Sequence, residues 1–262
     1  MAELHVPALH AEKLGEIAGI PITNAVVGTW VGMALLLIVL FVGTRRMQLV
    51  PGGLQSLFEV MVDSFRNLVF SVLEDQKKTD RFLPLILGIF LFVLFVNWVS
   101  LLPGFGTIGV REHGELIPFL RAGSSDLNLT LALAGVSFVV AQVVGVLVVG
   151  TFKYANKFIT LGPLFKRPFK LKNLLLFIPT FFLGLIELIS ELAKLVSLSF
   201  RLFGNLYAGE VLLTVFGTLL PVFVPLSGPF YLLEVFVGLI QAFVFAMLTI
   251  VFIKIASLST EH

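Results

Sequence analysis

The sequence contains no cysteine, which excludes disulfides, thiolate metal sites and cysteine nucleophiles. Charge is scarce: 13% of its 262 residues are Asp, Glu, Lys or Arg, about half the share usual in a soluble domain. Aromatic side chains with a polar handle are few too, three Tyr and two Trp against 27 Phe. No G-x-x-x-x-G-K-[ST] pattern or other phosphate-cradling glycine loop is present, so no nucleotide site of its own is expected. The first twenty residues, MAELHVPALHAEKLGEIAGI, mix acidic and basic groups without an apolar stretch, and no cleavable signal peptide is expected. A formal net charge of +2 argues for no particular partner, nucleic acid included.

What fills the chain is apolar: 58% of residues are hydrophobic and the mean hydropathy is +1.03. No soluble fold of this length hides so much apolar surface, and the expected class is an all-α polytopic membrane protein. Windows of about 20 residues give spans over 25–43, 82–102 and 129–150, with longer apolar stretches over 174–220 and 230–258. Residues 54–73 read differently. Leu54, Leu57, Phe58, Met61, Val62, Phe65, Leu68, Val69 and Val72 recur at helical spacing, while Gln55, Glu59, Asp63, Arg66 and Asn67 take the other side. This is an amphipathic helix at the membrane interface, not a crossing.

Loop charge orients the spans. Arg45 and Arg46 precede the amphipathic helix, Lys77, Lys78 and Arg81 follow it, and Lys153, Lys157, Lys166, Arg167, Lys170 and Lys172 crowd a later loop. The positive-inside rule puts those loops in the cytoplasm. The connection 103–128, with Arg111 and Arg121 beside Glu112, Glu115 and Asp126, is assigned outside. An external tail over 1–24, one membrane domain over 25–262, five crossings and a cytoplasmic C-terminus follow.

The stretch 174–220 has 47 residues, which as one helix is about 70 Å long against a hydrocarbon core of about 30 Å. No turn cluster interrupts it before LPVFVPLSGPF at 220–230. A single long, oblique or bent helix is expected, forming a tilted hairpin with the last span.

That hairpin carries Glu187, Glu191, Lys194, Arg201 and Glu210 on its first arm and Glu234 and Gln241 on its second. Ionisable residues at such depth cost about 2.5–3.5 kcal/mol each by insertion scales. Glu187, Lys194 and Arg201 are spaced by seven, a drift of only about 20° per step, and Asn205 falls on nearly the same face. Glu210 lies about 180° around the axis from Arg201. A turn near 220–230 brings Glu210 level with Glu234, and Gln241 shares the face of Glu234. Bland explanations compete at some positions: Lys194 can snorkel, Glu187 and Lys194 can close a helix interface as an ion pair, and Glu191 suits pairing better than function. Arg201 is harder to dismiss. It cannot be neutralised, and Phe200, Leu202 and Phe203 surround it. A counter-anion from another chain or a substrate is implied.

RLFGNLYAGE at 201–210 and FVGLIQAFVFAMLTIVF at 236–252, with SDLNLTLAL at 125–133 and SLLPG at 100–104, resemble subunit a of the F-type ATP synthase membrane sector. The resemblance covers essentially the whole chain beyond its N-terminal tail. It implies a proton-translocating stator subunit; with no transit peptide visible, a bacterial inner membrane is the expected location, and a plastid-encoded chain would look similar. Its partners would be a rotor ring of c subunits, peripheral-stalk b subunits, the F1 sector indirectly and the lipid bilayer; no cofactor, metal or catalysis by this chain alone is implied. Arg201 then matches the stator charge facing each passing rotor carboxylate. Asn205, Glu210, Glu234 and Gln241 match the outer half-channel, and Glu187, Ser190 and Lys194 the cytoplasmic exit. Asp126 and Asn128 would sit near the outer mouth. Two departures stand out: Leu195 replaces a frequent proline after the lysine, and both facing relay positions are Glu, which predicts a proton-sharing pair of Glu210 and Glu234. A secondary transporter binding an anion at Arg201 is the alternative, but no internal repeat supports it. A structural anchor leaves Arg201 and Glu234 unexplained.

Overall fold

The computed structural model describes residues 11–258 except 18, 51, 107, 113–114, 152–153, 155–170 and 220–223. Among the described residues six α-helices dominate: α1 Asn24–Thr44, α2 Leu54–Leu73, α3 Gln76–Val99, α4 Leu127–Val149, α5 Leu171–Leu219 and α6 Val224–Leu258. Short strands accompany them: β1 Lys13–Ile17, β2 Ile20–Thr23, β3 Pro103–Gly106, β4 Gly109–Glu112 and β5 Glu115–Pro118. The expected all-α class holds among the described residues, where β1 with β2 and β4 with β5 add two short antiparallel hairpins beside the helices. Both lie in segments read as external tail and connection. Gly19, at φ 81°, supplies the backbone freedom that reversing the first one requires.

The chain divides into two compact units, Met1–Thr130 with Phe200–Ile250, and Leu131–Ser199 with Val251–His262. In the first, Thr23 caps α1 by accepting from the Val26 N–H at 3.4 Å. Helix α2 keeps the expected bounds and buries Phe65, Val69 and Leu73, with the Phe65 and Phe90 rings 4.6 Å apart. Glu74 ends α2 in the left-handed region and Asp75 starts α3, accepting from the Lys77 and Lys78 N–H groups at 2.9 and 3.3 Å. Arg66 and Asp80 then tie α2 to α3 at 3.0 Å.

Helix α3 begins at Gln76, six residues ahead of the hydropathy boundary, because the Asp75 cap starts it among charged residues. Helix α6 begins at Val224, not at 230 as expected. The prolines there suggested a turn, but Pro225 falls in the first helical turn, where a missing N–H leaves no intrahelical bond unmade. Pro229 lies inside the helix. Most of the basic loop after α4, the tip between α5 and α6 and the first ten residues lie outside the described residues.

Among the described residues, four helical segments are long and apolar enough to cross a membrane: Asn24–Thr44, Gln76–Val99, Leu127–Val149 and Gly228–Ser257. Their outer faces stay uncovered, with Phe41 63%, Leu147 70% and Leu232 71% exposed. Such continuous apolar faces are at home in lipid and not in water. The chain is a polytopic helical membrane protein. Helix α5 is a single helix of 49 residues, about 74 Å long at 1.5 Å per residue. It holds Glu187, Glu191, Lys194, Arg201 and Glu210 and is not among those four segments.

Candidate functional site

In the first unit, polar side chains of α5 and α6 meet the segment that precedes α4. Asn205 Nδ2 on α5 donates to Gln241 Oε1 on α6 at 2.8 Å. One turn further along α5, the Gly209 Cα lies against the Glu234 carboxyl of α6. Nearer the tip, the Phe216 and Phe230 rings stack 4.1 Å apart. Gln241 and Glu234 are buried, while Asn205 and Arg201 are exposed on α5. The Nε2 of Gln241 is buried with no hydrogen-bond partner among the described residues.

Glu210 turns to a different partner. Arg121, only 4% exposed, sets its Nε 3.4 Å from Glu210 Oε1 and its Nη2 3.5 Å from Oε2. Sequence reasoning counted Arg121 only as a loop charge; the structure buries it within the spans' polar cluster. The signal that would have found it is Glu210 itself, a carboxylate among apolar neighbours that calls for a cation. No hydrogen bond joins the carboxyls of Glu210 and Glu234 among the described residues. Glu210 and Glu234 have unlike surroundings, one ion-paired and one packed on a glycine.

The segment carrying Arg121 is fixed from several sides. The Arg121 N–H donates to the Asn24 C=O at 3.4 Å, and a side chain at Gly28 would overlap the Arg121 carbonyl oxygen. Asn24, fully buried, donates through Nδ2 to the Pro118 C=O at 3.2 Å and to Glu12 Oε2 at 3.4 Å. Ser124 Oγ donates to Asn97 Oδ1 at 2.8 Å, and Asn97 Nδ2 to the Gly238 C=O of α6 at 3.3 Å. Asp126, buried, accepts from the Asn128 N–H at 3.0 Å and from its Nδ2 at 3.1 Å. That geometry makes Asp126 the cap of α4, a structural task sequence reasoning did not foresee.

The remaining candidates, Glu187, Ser190 and Lys194, belong to the second unit. Glu187 is half-buried and Ser190 exposed. Lys194 Nζ is held by Glu191 Oε1 at 2.9 Å, one turn away, where the seven-residue spacing pointed to Glu187.

The fold and site define a multi-pass helical membrane protein with a buried arginine–carboxylate pair and further carboxyls on its helices, the kind of group that marks functional sites within membranes. The profile of the family described as "ATP synthase A chain" matches residues 26–254. Over 249 residues the chain is 33% identical to ATP synthase subunit a of Moorella thermoacetica, covering 95% of this chain and 96% of that one. It is 35% identical over 239 residues to the same subunit of Trichlorobacter lovleyi (91% and 89% covered). With that of Campylobacter jejuni subsp. doylei it shares 36% over 216 residues (82% of each). The chain belongs to the ATP synthase A chain family, whose members serve ATP synthesis and ion transport in the membrane.

Proposed function

We propose that this chain is the proton-translocating stator subunit of a bacterial rotary ATP synthase, presenting Arg201 to the carboxylates of a rotor ring between two offset half-channels. The observation that carries the reading is the division of α5 into two edges. Arg201 is exposed on one, while Glu210 on the other is drawn into a buried polar cluster. An exposed, permanently charged guanidinium inside a span calls for an anion outside this chain. At about 4 Å and an effective dielectric of 20, such a pair attracts by roughly 4 kcal/mol. That is enough to hold each passing carboxylate ionised and to stop protons leaking straight across.

Five crossings, an external N-terminus and an α5–α6 hairpin complete the reading. Three contacts support the hairpin, two between side chains (residues 205 with 241 and 216 with 230) and one between the backbone of Gly209 and the carboxyl of Glu234. Numbering rises along one helix as it falls along the other, as antiparallel neighbours require. Asn205, Glu210, Glu234 and Gln241 then line the outer half-channel, with Arg121 as counter-ion to Glu210 and Asp126 and Asn128 near its mouth. Glu187, Ser190 and Lys194 serve the cytoplasmic side. The rotor ring, the b subunits of the peripheral stalk and, through them, F1 are the partners; the chain is not catalytic by itself. One charge crossing 100 mV yields about 2.3 kcal/mol, so several must cross per ATP, and a rotor accumulates such steps.

The test is proton flux in vesicles carrying the assembled complex with Arg201→Ala. ATP-driven pumping is lost while passive leak persists or rises. Normal coupled pumping in that variant would overturn the proposal.

A further inference from the structure

Glu191 has no part in the mechanism just proposed, yet its carboxylate is held from two sides in the second unit. It is 8% exposed on α5. Its Oε1 accepts from Lys194 Nζ at 2.9 Å and its Oε2 from Gln142 Nε2 of α4 at 3.3 Å. Gln142 Oε1 in turn accepts from the Tyr154 hydroxyl. An ion pair with Lys194 would by itself settle a structural carboxylate; the amide and the phenol are additional.

The chain goes to some length to bring Tyr154 there. Gly150, at φ 88°, ends α4, and the Tyr154 N–H then donates to the Gly150 C=O at 2.9 Å. The Tyr154 ring, 4% exposed, lies across Gly145, where a Cβ would overlap it. Beside Glu191 and Lys194 is a cavity of about 10 Å³, walled by Ala134, Ala141 and Phe252 among others. That is room for about one water.

We propose that Glu191 is a proton-binding site of this chain, with Gln142 and Tyr154 as the residues that position its carboxyl. This rests on the stator reading and adds a residue to its path. The chemistry is the making and breaking of one O–H bond: the carboxylate takes a proton from a hydronium arriving in the cavity, which leaves as neutral water, and later passes that proton to a second water that carries it onward. Gln142 is suited to both states, because an amide has a donor end and an acceptor end. With Glu191 ionised, Nε2 donates to the carboxylate and Oε1 accepts from Tyr154, as observed. With Glu191 protonated, the amide turned over accepts the new O–H through Oε1 and donates to the phenol oxygen through Nε2. Neither state leaves Glu191 or Gln142 with an orphaned polar atom. A charged group held at Glu191 is Lys194, at 2.9 Å.

The experiment uses the assembled complex in vesicles with Glu191→Gln and with Tyr154→Phe, which keeps the ring on Gly145 and removes only the hydroxyl. ATP-driven pumping is expected to fall at least about fivefold in Glu191→Gln, and less in Tyr154→Phe, each with a changed solvent deuterium effect. Passive leak stays that of the parent complex. Infrared spectra recorded as pH is stepped should contain a carboxyl C=O band that disappears in Glu191→Gln and shifts in Tyr154→Phe. Parent-like pumping and deuterium effect in both variants, or the absence of such a band, would overturn the proposal. Slowed pumping in Glu191→Gln with Tyr154→Phe indistinguishable from the parent would reduce Glu191 to a tether for Lys194. Where a variant fails to assemble, the infrared band in the parent and in Tyr154→Phe decides. Normal pumping by Arg201→Ala would strike the stator reading alone, because the band reports protonation of Glu191 directly.

Discussion

The Glu234 carboxyl packs against the Cα of Gly209, at a place where any side chain would overlap it. The next residue on α5, Glu210, turns to Arg121. Two carboxyls at adjacent levels of two helices are thus set apart by their neighbours: a guanidinium at one and a bare glycine at the other. Differences of this kind let two like groups take different parts in one proton path.

Gly209→Ala tests the closeness of that contact. Alanine is favoured over glycine in a helix by about 1 kcal/mol, and overpacking costs about 1–3 kcal/mol, so stability should change little. The Glu234 carboxyl must move, and ATP-driven acidification of vesicles should fall about tenfold or more. Gly88→Ala is the control, since nothing lies within 4 Å of its would-be Cβ. It should leave flux unchanged.

Arg121→Ala should destabilise the fold, because it strands Glu210 in a partly buried site. Glu210 keeps 22% exposure, so the loss should be at or below the roughly 3–5 kcal/mol typical of breaking a buried pair. Adding Glu210→Gln should recover part of it, since no charge is then left uncompensated. Thermal unfolding in detergent of the parent, single and double variants gives the comparison. Equal losses in the single and double variants would mean that the pair contributes nothing through charge.

Helical periodicity made most of this architecture legible. The bounds of α2 follow from its alternating faces, and the absence of punctuation predicts α5 as one helix. The misreadings have local causes. Proline marks both turns and helix starts, so the beginning of α6 was placed too late. The strand hairpins are only four or five residues per strand, too short for an alternating pattern to stand out. Arg121 was hidden because the sequence does not say which loop charge folds back onto a span. Asp126 was visible as a polar residue, but whether such a residue caps a helix or lines a channel depends on where its oxygens point. Lys194 shows the same limit: partners at three and at seven residues both suit a helix, and the structure pairs it with Glu191.

Asn205 and Gln241 allow fold and flux to be separated. Asn205→Ala removes the donor to Gln241 Oε1 and leaves a buried amide short of a partner, costing about 1–3 kcal/mol. Replacing both by leucine removes the buried Gln241 amide together with its exposed partner and should be close to neutral for stability. If these residues line a proton path, that double variant folds well and pumps poorly. A double variant that folds and pumps like the parent would take both residues out of the path.

Arg201 should behave in the opposite sense to Arg121. Its side chain is exposed on α5, and substitutions at exposed positions usually change stability by less than about 0.5 kcal/mol. Removing a charge from a span also lifts a cost of insertion. Arg201→Ala is therefore expected to leave the unfolding temperature of the isolated subunit unchanged or slightly raised, while the assembled complex loses coupled pumping. A residue selected for the fold would show both losses together. One kept for a charge outside its own chain shows only the second, and the two measurements on a single variant separate these cases.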